Sequence, residues 1–120
     1  MKKEFIKTII VSYGGFFDGA EKRTLTHEGE KIFVEREFYN GAFDNGKPLY
    51  VGKTWSMLLD ELDSLHIDEW DEGYDDPDVM DGTQWSLDIK FSDKSEGLHY
   101  WGSNKYPENF DAFMKVMEMR

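Results

Sequence analysis

The run Asp81-Gly-Thr-Gln-Trp-Ser-Leu-Asp-Ile-Lys-Phe91, continued by Leu98-His-Tyr-Trp-Gly-Ser-Asn-Lys-Tyr-Pro107 and Glu108-Asn-Phe-Asp-Ala-Phe-Met-Lys-Val-Met117, reads as turn, strand, hairpin, strand, glycine break and proline-started helix. Trp85, Leu87, Ile89 and Phe91 alternate with Ser86, Asp88 and Lys90, so one face of the strand is apolar and the other polar. Ser92 to Gly97 turns the chain back, and Leu98, Tyr100 and Trp101 continue as the partner strand. Pro107 opens a helix at the position where its missing N–H costs nothing, and Phe110, Phe113, Met114 and Met117 follow at i, i+3, i+4 and i+7. Glu108 and Asp111 at its start and Arg120 at its end suit the helix dipole.

Working back from that stretch, Phe5 to Tyr13 is rich in β-branched residues, with apolar side chains in both alternating sets. Such a strand wants neighbours on both sides, which places it centrally in a sheet. Gly14-Gly15-Phe16-Phe17-Asp18-Gly19 reads as a flexible loop with two adjacent aromatics. Lys22 to Glu28 and Lys31 to Tyr39 flank Gly29 as antiparallel strands, and Ile32, Val34 and Phe38 share a face that Arg36 interrupts. Asn40 to Pro48 is a loop by its glycine, asparagine and proline content. Thr54 is an N-cap for a helix whose stripe is Trp55, Leu58, Leu59, Leu62 and Leu65, leaving Asp60, Glu61 and Asp63 to water. The expected class is α+β: a single antiparallel sheet of about five strands, both helices on one face, in the order βββαββα. Residues 1–120 are expected to form a single domain.

Composition narrows the function classes. Twenty-five acidic residues against fourteen basic ones give a net charge of -11, which disfavours direct nucleic-acid binding and attraction to an anionic membrane and favours a basic partner. There is no cysteine, so disulfides, zinc-thiolate sites and thiol nucleophiles are excluded. The opening Met1 to Val11 lacks the apolar core of a signal peptide, and no stretch approaches the roughly 20 apolar residues of a membrane span. A cytoplasmic location is the expectation.

The elements Asp81-Gly82, Trp85-x-Leu87-x-Ile89-x-Phe91, Gly102-x-Asn104-x-x-Pro107 and Phe110-x-x-Phe113 resemble a recurrent C-terminal pattern of small bacterial and phage proteins, over roughly residues 65 to 117. The resemblance implies the fold of this part of the chain and brings no activity, cofactor or functional residue with it.

The strongest compositional anomaly is the segment from Asp68 to Asp81, with Asp68, Glu69, Asp71, Glu72, Asp75, Asp76, Asp78 and Asp81 around Trp70 and Tyr74. Its leading functional reading is a partner-binding surface: the acids, with Asp60, Glu61 and Asp63, occupy a basic groove on another protein, and Trp70 and Tyr74 serve as anchors. The same composition also describes a solvated loop whose aromatics pin it to the core. Calcium is a second alternative, but counting from Asp76 the fifth position is Met80, the sixth is Asp81 instead of glycine, and the twelfth is Leu87 instead of glutamate. His27, His66 and His99 stand apart, with no HExxH or His-x-His spacing; His99 and Trp101 share a face and make a small recognition patch if exposed. No glycine run has a phosphate-loop pattern, and no Gly-x-Ser-x-Gly elbow exists. No cofactor is implied, and no residue set has the spacing a reaction requires. A ligand-binding domain or hydrolase with a pocket between sheet and helices is the enzyme-class alternative. The oligomeric state is not legible from these residues.

Overall fold

The computed structural model describes residues 1–78 and 82–119. Its strands are β1 (Ile6–Gly15), β2 (Gly19–Glu28), β3 (Lys31–Tyr39), β4 (Gly73–Asp75), β5 (Thr83–Phe91) and β6 (Leu98–Ser103), and its helices are α1 (Trp55–Asp63) and α2 (Phe110–Val116). They form one six-stranded sheet in the order β3-β2-β1-β5-β6-β4. The class is α+β, and β1 is central, paired antiparallel to β2 on one side and β5 on the other.

The expected sheet needs two corrections. It has six strands instead of about five, and it is mixed, because the three residues of β4 pair parallel to β6 at the edge. β4 lies within the acidic segment, where three residues show no alternation and the composition reads as loop. Its admission depends on Gly73: a Cβ there would sit 2.6 Å from the Trp101 indole. The Gly14 to Gly19 stretch is also not a flexible loop. β1 runs through Gly14 and Gly15, a tight turn covers Phe16 to Asp18, and β2 starts at Gly19.

The mixed apolar pattern of β1 has a local cause. A register shift between Ile6 and Thr8 inserts an extra residue, so Ile6 and Ile9 both reach the core although strict alternation would separate them. From there Ile9 and Val11 of β1, Leu25 of β2 and Trp85, Leu87 and Ile89 of β5 face the buried stripe of α1 (Trp55, Leu58, Leu59, Leu62) and Phe110, Phe113 and Met114 of α2. Among the described residues the opposite sheet face carries no buried side chain and no helix packs on it. Thr54 caps α1 as its type predicts, its hydroxyl accepting from the Met57 N–H at 3.2 Å. α2 starts three residues later than Pro107 suggests, after a turn in which the Phe110 N–H donates to the Pro107 carbonyl at 3.1 Å. The expected role of Arg120 at its end lies outside the described residues.

The pattern that carries the resemblance is a clamp at the β5–β6 end. Trp85 is paired with Gly102, and a Cβ on Gly102 would overlap the indole, whose N–H donates to the Lys105 carbonyl at 2.9 Å. Asn104 accepts from the Thr83 N–H at 2.7 Å through its side chain and donates its own N–H to the Thr83 carbonyl at 2.9 Å. Gly82 leaves the space that the Asn104 amide fills. Phe110 closes the clamp with its ring 4.8 Å from that of Trp85.

Candidate functional site

Charge is divided unevenly along the chain. Between Thr54 and Ile89 there are twelve acidic residues and no lysine or arginine, whereas the remainder holds thirteen acids and all fourteen bases. The net charge of -11 therefore belongs to one segment, and the rest is close to neutral.

The structure sorts these acids into two groups. Asp60 receives the Lys3 ammonium at 2.9 Å, Glu61 that of Lys53 at 2.8 Å, and Asp68 the Met1 amine at 3.3 Å; Asp63 lies 3.9 Å from both Lys3 and Met1. The hydrogen bond to Asp60, then its charge, raises the Lys3 pKa. The sequence places Asp60, Glu61, Asp63 and Asp68 on the acidic surface, and there bases brought from the N-terminus and from the loop before α1 lie against them. Glu69, Asp71, Glu72, Asp75 and Asp78 are exposed and Asp76 is half-buried, and none of the six forms an ion pair among the described residues. Asp81 lies outside the described residues.

The backbone beneath this second group is held firmly. The Trp101 N–H donates to the Glu72 carbonyl at 3.1 Å and the Asp76 N–H to the Ser103 carbonyl at 3.0 Å, bracketing β4. The Asp76 carboxylate accepts from the Asp78 N–H at 3.2 Å, a local turn bond. Trp70 is inserted among Trp85, Tyr100 and Phe113 with ring centroids 5.4 to 5.9 Å away, and its indole N–H donates to Asn109 at 2.8 Å. Tyr74 lies 5.9 Å from Trp85, and its hydroxyl accepts from the Asp71 N–H at 2.9 Å. Both aromatics are thus half-buried pins between the segment and the core. Their remaining accessible edges, with Glu69, Glu108 and His66, line an open groove of about 380 Å³.

The histidines stay apart. His27 stacks on Trp55 at 4.4 Å and bonds the Gly29 carbonyl, while His66 takes the left-handed conformation just beyond α1. His99 is exposed on the open sheet face beside Trp101 and bonds Asp88 across the strand pair, so the expected patch exists as an exposed cluster. Among the described residues no three of His, Asp or Glu converge as a metal site.

An arginine that interrupts the apolar face of β3 must reach solvent along its stem or pair with an acid. Arg36 pairs with Glu21, in an ionic cluster whose other members, Glu21 and Arg23, no sequence motif marks. Arg23 is 1% exposed and gives Glu21 two bonds, at 2.9 and 3.1 Å; Arg36 gives it two more, at 2.7 and 3.1 Å. Arg23 also donates to the Met117 carbonyl at 2.6 Å and to the Tyr50 hydroxyl, tying the end of α2 to the sheet. Burial pushes the Glu21 carboxyl up, but the hydrogen bonds from Arg36 and Arg23 prevail and its pKa is lowered. Alternation carried the signal: Glu21 and Arg23 share a strand face with Leu25. Both arginine forks are filled internally, so neither is free to clamp an anion in the adjoining groove of about 330 Å³.

No protein-family model, no curated protein and no solved structure matches this chain. Among the described residues no helix is long and apolar enough to cross a membrane.

Proposed function

We propose that this protein is a noncovalent binding factor of inhibitor type, which covers a basic surface on another protein with its acidic edge. The observation that carries the reading is the set Glu69, Asp71, Glu72, Asp75 and Asp76, without an ion pair among the described residues, on a backbone fixed by β4 and by the Trp70 and Tyr74 pins, with Asp78 turned against Asp76 beside it. A solvated loop of the same composition would lose conformational entropy on binding, at about 0.5–1.5 kcal/mol per immobilised side chain and more for the backbone. Here the backbone share is met during folding. A one-signed field of this kind also steers association with a cationic partner and weakens as salt screens it.

The test is affinity capture from a bacterial lysate at low and high salt, followed by direct titration of the captured partner. The variant carries Asp71→Asn, Glu72→Gln, Asp75→Asn and Asp78→Asn, all at exposed positions. The expected result is a partner bound at least about tenfold more weakly by the variant, with a shallower salt dependence. Equal retention by both forms, or no partner at low salt, overturns the reading.

A further inference from the structure

The helix-free face of the sheet contains a groove of about 510 Å³, a volume within the range of small-molecule sites. None of its eleven lining residues carries a charge, in a chain of which 32% is charged. No residue of the acidic edge contributes to it.

The strand register explains the depression. Across β3, β2, β1 and β5 one row reads Tyr39, Ala20, Gly14, Gln84, and the next row sets Ser12 directly opposite Ser86. Small side chains in the middle strands make the floor, and larger ones rise at the sides. Gly14 is required there, since a Cβ would collide with the backbone of Gly19 and Ala20. The walls are the rings of Tyr39, 48% exposed, and Phe16, 71% exposed. Neither the Ser12 nor the Ser86 hydroxyl has a hydrogen-bond partner among the described residues. Gln84 uses its amide N–H on Ser103 at 2.8 Å, which holds the side chain in place with its carbonyl oxygen unspent.

We infer that this groove is a binding site for a neutral polyhydroxylated ring, that is, a saccharide. The lining itself offers a charged ligand no countercharge, since Lys22 and Glu37 of the row beside Ser12 are paired with each other, and a purely apolar ligand would leave both serine hydroxyls without partners. A pyranose meets both demands, with hydroxyls for Ser12, Ser86 and Gln84 and an apolar C–H face for the Tyr39 or Phe16 ring. The exposed rings and the pre-placed amide recognise it without rearrangement of the sheet.

The experiment is amide NMR of the full chain titrated separately with maltotriose, cellotriose, the trimer of N-acetylglucosamine and adenosine, each to about 10 mM, beyond the millimolar end of the affinity scale. The expected result is shifts at Ser12, Gln84 and Ser86 with at least one saccharide, weakened about tenfold by Tyr39→Ala. A second variant, Ser12→Ala with Ser86→Ala, keeps both strands small at those positions and is expected to weaken binding in the same sense. No shift with any saccharide, shifts away from the groove, unchanged binding by both variants, or binding of adenosine alone each overturns the assignment.

Discussion

Replacing Glu21 with glutamine keeps the shape of the side chain and removes the one anion shared by two guanidinium groups. Arg23 is 1% exposed, so water cannot take over the lost charge, whereas Arg36 retains Asp44 at 3.1 Å. The affected contacts are the four bonds that the two arginines give Glu21, between 2.7 and 3.1 Å. Breaking a buried pair by neutralising one partner costs about 3 kcal/mol, because the surviving charge stays desolvated. For a chain of this size that corresponds to a fall in Tm of roughly 12 °C, at about 4 °C per kcal/mol. Urea unfolding followed by tryptophan fluorescence measures it. The pH dependence supplies a second check. Glu21 has a lowered folded pKa, so its contribution is complete above the ordinary carboxylate value of 4.5 and is lost as pH falls through the folded value. The stability difference between wild type and Glu21→Gln should therefore be full at about pH 7 and shrink as acidification passes below 4.5. A difference below about 1 kcal/mol at neutral pH, the range of exposed ion pairs, would refute the claim that Arg23 depends on Glu21.

Gly82→Ala drives a methyl into the Asn104 side chain and opens the clamp at the start of β5; a loss of about 2 kcal/mol or more in urea unfolding is expected. Leu62→Ala removes a fully buried side chain of α1 and should cost about 2–5 kcal/mol by the same assay. Thr54→Ala deletes the N-cap bond to Met57 and should cost about 1 kcal/mol, read as a small downward shift in Tm. Asp93 is held at a pKa of about 2 by the Lys2 hydrogen bond and then by the Ser95 hydroxyl and N–H; carboxyl NMR should show this value in wild type and a rise in Lys2→Met. Its contribution to stability is present above the ordinary value of 3.8 and disappears as pH falls towards about 2.

Elements whose apolar spacing is regular were legible in the chain: the alternation of β5, the α1 stripe and the Thr54 cap all follow from local rules. The α2 residues were legible too, while its start was not, because a proline permits a turn there as readily as a first helical residue. β4 escaped notice because its pairing is set by a distant glycine–tryptophan contact, Gly73 with Trp101, and not by any pattern of its own. The acidic edge was visible as composition. Its division into answered and unanswered carboxylates was not, since Met1, Lys3 and Lys53 are remote in sequence from most of the acids they meet. The saccharide groove left no local sign, because Ser12, Gly14, Ala20, Tyr39, Gln84 and Ser86 become neighbours only through strand register.

The pairing of β1 with β5 has a further consequence during synthesis. β1 can close on β2 as soon as both leave the ribosome, but its other edge waits for Thr83 to Phe91. At ordinary elongation speeds of about 5–20 residues per second, that delay is on the order of ten seconds. Throughout it, a nascent hairpin presents Ile9, Val11 and an unsatisfied backbone ladder, which makes this interval the time of greatest need for a chaperone and of greatest exposure to intermolecular strand exchange.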